Sequence, residues 1–260
     1  IDEIARMSRR DFARTMAAGA AGIISGCRGG RSFDIIIRDG MIFDGEGGRP
    51  LRGDLGIDGE RITAIGDLGS ASAARVIDGR GYAVSPGFID IHTHTGLELI
   101  VNPNAESKVF QGVTTEVSGN CGDSLFPLND EDFRNEDSGV FARYGFHIDW
   151  RDLAGFLARL EKEGTSVNYA TFTGHGRLRS HVVGRNDVQA APEQLEEMKR
   201  LLLHSMEQGS FGLSSGLEYA PGSYASTREL VELAGAVAAS GGVYATHVRN
   251  EDEQVEAAIQ

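Results

Sequence analysis

At 260 residues with 40 % hydrophobic content, the chain is long enough to bury a sizeable core in one or two domains. A net charge of −13, with no basic cluster past the N-terminus, argues against a nucleic-acid partner. Two cysteines are too few for a disulfide framework.

Residues 1–31 read as an export signal. Ser8-Arg9-Arg10-Asp11-Phe12 matches the twin-arginine motif, and the moderately apolar stretch Ala13 to Gly26 follows it. Arg14 interrupts that stretch, which is too short to remain in a bilayer as a spanning helix. Ile24-Ser25-Gly26-Cys27 looks like a lipobox, so Cys27 is the expected lipidation site. On this reading the protein is exported to the periplasm and touches the membrane only through a signal or lipid anchor. The competing reading is an amphipathic helix with a chance Arg-Arg pair. The chain opens on Ile1, which makes Met7 a candidate true start.

Residues 32–84 read as an all-β module without a chemistry-bearing cluster. Phe33 to Ile37 is an expected strand, and Gly40 to Gly45 its continuation and turn. Asp54 to Gly66 carries a hairpin signature with Asp58-Gly59 at the turn. Arg75 to Asp78 and Gly81 to Val84 are two further short strands.

At residue 85 the pattern changes to strand followed by helix. In Val84-Ser85-Pro86-Gly87-Phe88-Ile89-Asp90-Ile91-His92-Thr93-His94, Pro86-Gly87 breaks the chain and Phe88 to Thr93 is an apolar, branched strand. Alternation places Phe88, Asp90, His92 and His94 on one face. Desolvating two imidazoles is costly unless each finds a partner, and a divalent metal satisfies both. The alternative is a pair of hydrogen-bonded core histidines.

Further along, Ala105 to Gln111 is an expected helix and Thr114 to Gly119 a strand ending at Asn120-Cys121-Gly122. Residues 123–149 read as a polar, acidic, solvated loop, with a calcium site as the alternative. Asp149 is the expected cap of a helix running to Glu163, with Leu153, Phe156, Leu157 and Leu160 on one face. Val167 to Thr173, Phe211 to Leu217 and Val243 to Thr246 are strands, alternating with helices over Pro192 to Gln208 and Thr227 to Ala239. A last helix starts at Glu251.

Such alternation implies α/β architecture with a parallel sheet. His92, His94, Cys121, His175, Glu218 and His247 all follow strands, the end at which a (β/α)8 barrel of the TIM type keeps its active site. About five of eight units are present, so the barrel is expected to be truncated at its C-terminus.

Cys121 reads either as a small buried hydrophobe or as a thiolate on zinc, which would protect it in an oxidising compartment where Cys27 is lipidated. His247 favours ligation over a surface role. His175 fits a substrate-contact or supporting role as well as direct ligation. His147, His181 and His204 read as ordinary. Many two-metal hydrolases of this architecture use a carboxylated lysine on a strand, but Lys108, Lys162 and Lys199 fall on or beside helices.

Pro86 to His94 resembles the opening motif of the amidohydrolase superfamily. Gly112-Val113-Thr114-Thr115 leading to Gly119-Asn120-Cys121-Gly122, the stretch Gly212 to Gly222, and Thr246-His247-Val248-Arg249-Asn250-Glu251 narrow the resemblance. Together they are similar to the N-acyl-D-amino-acid deacylases, or D-aminoacylases, over about residues 33–260. One departure is Thr95-Gly96 after His94, where many relatives carry acidic residues.

The resemblance implies one or two Zn2+ ions, with His92 and His94 on one, Cys121 bridging or holding the tighter, and His247 on the latter. It implies a small β-sandwich subdomain begun by residues 32–84, and residues 85–260 as the first part of the barrel. The implied reaction is hydrolysis of an N-acyl-D-amino acid, a small molecule, to a carboxylate and a free D-amino acid. Glu218, Tyr219 and Arg249 would line the mouth, or serve local salt-bridging and capping. No catalytic residue is expected within these residues: the general-base aspartate and a further ligating histidine are expected beyond Gln260, leaving this piece inactive by itself. The alternatives are a cyclic-amide hydrolase of the dihydroorotase or hydantoinase type, and a non-catalytic, lipid-anchored zinc-binding module.

Overall fold

The computed structural model describes residues 32–259, so the expected export motif and Cys27 lie outside the described residues. Two units divide between Pro86 and Gly87.

In the first unit, β1 (Ser32–Ile42) is flanked by β2 (Leu51–Asp58) and, in parallel, by β4 (Ser72–Asp78). β3 (Arg61–Gly66) extends the sheet beyond β2, giving the order β3-β2-β1-β4, and β5 (Ala83–Val84) also pairs with β1. The strand expected from Phe33 to Ile37 and its continuation past Gly40 form the single strand β1. Its register shifts between Ile37 and Gly40, where Asp39 takes a left-handed φ of 56°. The hairpin turn falls on Gly59-Glu60, one residue later than the sequence suggests. Gly59 supplies the positive φ and donates its N–H to Asp34 Oδ2 at 2.7 Å. Phe33, Ile36 and Ala64 form the small core. The described residues of this unit build one sheet, so a second sandwich layer is not among them.

In the second unit, β6 (Phe88–Asp90), β7 (Val113–Ser118) and β8 (Asn168–Thr171) run parallel, as do β9 (Thr173–Gly174), β10 (Gly212–Gly216) and β11 (Val243–His247). β8 and β9 are one strand interrupted at Phe172, whose N–H donates to the Ser118 carbonyl at 3.0 Å. Five parallel strand positions follow, with β6 and β11 at the edges among the described strands.

Between them lie α1 (Leu97–Val101), α2 (Glu106–Val109), α3 (Asp130–Tyr144), α4 (Leu153–Glu163), α5 (His175–Val182), α6 (Pro192–Glu207) and α7 (Thr227–Ala239), and α8 (Val255–Ile259) follows β11. None of the described helices is long and apolar enough to cross a membrane.

Three expectations need correction. The acidic stretch 123–149 is not a loop: Asn129 caps α3 by accepting from the N–H groups of Glu131 and Asp132, and the acids of the first turn complement the helix dipole. Asp152, not Asp149, caps α4, accepting from Gly155 N at 2.9 Å. β6 stops at Asp90, so strict alternation does not run on to His92.

One core gathers Phe126, Trp150, Leu153 and Phe156 with Leu99 and Val140 beneath β6 to β8. A second joins Leu178, Met198, Leu202, Leu213 and Leu233 beneath β10. Each amphipathic helix thereby buries its apolar stripe against a strand.

Candidate metal centre

The chain leaves β6 at Asp90, and the next backbone anchor is Thr93, whose N–H donates to the Val117 carbonyl at 3.0 Å. Thr93 is buried, while His92 and His94 on either side of it are exposed. Their rings sit 5.5 Å apart, centroid to centroid, and tilted by 59°.

One strand over, β7 ends in a loop whose shape is set by its backbone. Gly119, Cys121 and Gly122 all take positive φ, at 71°, 54° and 74°. A β-carbon on Gly119 would overlap the Phe172 carbonyl, and one on Gly122 would come within 2.7 Å of Gly216 N. Ser214 ties the loop to β10, accepting from Gly122 N at 3.0 Å and donating to the Gly119 carbonyl at 2.5 Å. Asn120 is buried, and its amide donates to the carbonyls of Val117 at 2.9 Å and Thr93 at 3.5 Å. This amide joins the cysteine loop to the histidine segment.

The result is a group of three ligand types. Cys121 Sγ lies 3.4 Å from His92 Nε2, and one donor atom each from His92, His94 and Cys121 fall within 4.8 Å of one another. Among the described residues this is the one cluster of three or more His, Cys, Asp or Glu side chains able to share an ion. Burial pushes the Cys121 thiol up, and the nearby carboxylates of Glu251 and Asp123 push it the same way.

His247 ends β11 and is outside that cluster. It pairs in register with Gly216, the residue that abuts the Cys121 carbonyl. Glu218 Oε2 and Glu251 Oε1 approach its Nε2 at 3.4 and 3.3 Å. Neither contact is aligned as a hydrogen bond, which leaves a buried ring nitrogen without one. Tyr219 packs edge-on against the ring at 4.9 Å.

His175 and Arg249 are occupied elsewhere. His175 is fully buried, with Nε2 2.8 Å from Glu229 Oε1, while Arg179 donates to the other oxygen of the same carboxylate. Arg249 donates to the carbonyls of Ala225 at 2.8 Å and Ser223 at 3.4 Å. Asn120 and Ser214 escape sequence reasoning because neither offers a ligand. The signal for Asn120 is its place between Gly119 and the cysteine.

The profile of the amidohydrolase family matches residues 75–259. Over 227 residues the chain is 39 % identical to an N-acyl-D-glutamate deacylase of Alcaligenes xylosoxydans xylosoxydans, covering 87 % of this chain and 46 % of that protein. A crystal structure of N-acyl-D-glutamate deacylase from Bordetella bronchiseptica, complexed with zinc and a phosphonate mimic of the reaction's tetrahedral intermediate, is similar with a TM-score of 0.80. The match has 34 % sequence identity and covers 88 % of this chain and 48 % of that one. A D-aminoacylase with a binuclear metal centre gives a TM-score of 0.78 at 36 % identity, covering 87 % and 48 %. The chain spans about half the length of the relatives it matches.

Proposed function

The chain belongs to the amidohydrolase family, and on that premise we propose that the complete protein is a zinc-dependent hydrolase of N-acyl-D-amino acids. It would release a carboxylate and a free D-amino acid. The observation that carries this reading is the convergence of His92, His94 and Cys121 at the carboxyl end of a parallel sheet.

The donor set fits zinc. Two imidazoles and a soft thiolate are its preferred ligands, and the buried Nε2 of His247, lacking a hydrogen bond, is a further ligand in search of a cation. His92, His94 and Cys121 would hold the metal, with His247 completing the set or serving a second ion. Bound there, zinc supplies a Lewis acid that polarises the amide carbonyl and lowers the pKa of a water. Tyr219 fixes the plane of the His247 ring, and Glu218 and Tyr219 would line the substrate's approach. Arg249 holds the 223–225 turn behind Tyr219, and His175 holds Glu229 in the interior, so both would support the mouth without touching substrate. We assign the proton-transferring carboxylate to the part of the relatives' length that this chain does not span.

The same proposal includes closure of the five parallel strands into a barrel of eight, a second layer over the first unit, and export through residues 1–31 with lipidation at Cys27. A cyclic-amide hydrolase with a carboxylated lysine is disfavoured, because Lys108 is held in ion pairs to Asp90 and Glu116.

The test is zinc analysis of the complete protein together with hydrolysis of N-acetyl-D- and N-acetyl-L-amino acids. Zinc-dependent release of D-amino acids is expected. Activity confined to L-isomers or to cyclic amides would overturn the reading.

A further inference from the structure

One cation reaches both ends of the segment that carries the two histidines. Lys108 Nζ lies 2.8 Å from Asp90 Oδ2 and 2.9 Å from Glu116 Oε1. Asp90 opens the segment, and its other oxygen accepts from the His92 N–H at 3.3 Å. Glu116 holds the far end, its second oxygen accepting from Thr95 Oγ1 at 2.9 Å. Between those anchors lie only His92, Thr93 and His94 with Ile91, and the Thr93 hydroxyl is itself 3.0 Å from that of Thr95.

Stability alone does not explain this arrangement. Glu116 is fully buried, and a buried ion pair recovers little more than the cost of desolvating it; a well-packed apolar pair does as well or better. What a charged post provides that an apolar one does not is direction: a charge-assisted hydrogen bond to Asp90 at one end of a short loop and an ion-pair contact with Glu116 at the other. Lys108 also sits on the four-residue helix α2, the element before β7, which is the strand that pairs with β6.

We propose that Lys108 is a positioning residue for the metal centre, setting the approach of His92 and His94 to Cys121 through Asp90 and Glu116. The inference rests on the metal-binding reading above and adds a residue to it that touches neither metal nor substrate.

The experiment compares the complete wild-type protein with its D90N, K108M and K108R variants, using C121S as a control that lacks a ligand. Zinc affinity is read by chelator competition, coordination by the absorption spectrum of the cobalt-substituted protein, and folding by thermal melts without metal. K108M strands the Glu116 charge and risks unfolding. D90N is the decisive variant: it is nearly isosteric and leaves the Lys108–Glu116 pair in place. Expected are metal-free melts of D90N that match wild type, zinc binding weakened on the order of 10–100-fold in D90N and K108M, and partial rescue in K108R. The cobalt spectrum of D90N should keep its thiolate charge-transfer band and change in the ligand-field region. Wild-type zinc affinity with an unchanged cobalt spectrum in D90N would overturn the inference. Absence of zinc binding by the complete wild-type protein would instead overturn the metal centre itself.

Discussion

No side chain fits between Gly216 and Cys121. A β-carbon built on Gly216 would overlap the Cys121 carbonyl, so β10 and the cysteine loop meet backbone to backbone. Gly216→Ala must push the loop away from the strand, because both partners are main chain and neither can swing aside. We expect a loss of about 1–3 kcal/mol in urea unfolding. A drop in zinc affinity should accompany it, since the displaced residue carries the sulfur.

Metal binding should register as stability. Zinc at about a hundredfold over its Kd stabilises a protein that binds it only when folded by about 2.7 kcal/mol. Cys121→Ser removes the thiolate from the three-ligand group, and its melting temperature should no longer respond to zinc. A zinc-dependent rise in C121S equal to that of wild type would place the ion elsewhere.

Asn120 offers a test of how the two halves of the centre are joined. Its amide alone bridges Val117 and Thr93 from the cysteine loop. Asn120→Ala takes the amide donor from the Thr93 carbonyl in a buried setting, while the Val117 carbonyl keeps the Thr93 N–H, at a cost of about 1–3 kcal/mol. Melts without metal measure that cost. Zinc affinity should fall as well, because His92 and Cys121 lose their common brace.

The buried Glu229 predicts a pH dependence. Burial pushes its carboxyl up, but the His175 ring and the Arg179 guanidinium pull it down further, so it lies below the ordinary glutamate value. A carboxyl depressed in the folded state contributes stability that is whole above its unfolded value and is lost as pH falls through the folded one. Glu229→Gln should therefore be flatter than wild type across the acid limb in urea titrations. At neutral pH it should lose about 3–5 kcal/mol, because Arg179 is left buried without its counter-charge.

Strand ends were the legible part of this chain. A histidine pair after an apolar run, and a cysteine between Asn120 and Gly122 at a strand end, both stand where packing has no use for them, and the fold brings them into one group. The helix over Asp130–Tyr144 was not legible, because it buries only Val140 and Asp132 and so carries no apolar stripe; its cap, Asn129, was the signal to follow. The helix His175–Val182 is hidden for a related reason. Its buried face is His175, Arg177, Leu178 and Arg179, charges that look solvated until their partners on other elements are known. Lys108 reads as an ordinary helix cation for the same cause: both acids it serves are distant in sequence.

That pairing also governs how Lys108 reacts. The Asp90 and Glu116 carboxylates beside it hold its amine above the usual lysine range, against the opposing effect of burial. An ammonium so held has no lone pair to give. Acylating reagents and dissolved carbon dioxide should pass it by, labelling the exposed Lys162 first, and the hydrolysis proposed for the complete protein should be indifferent to added bicarbonate.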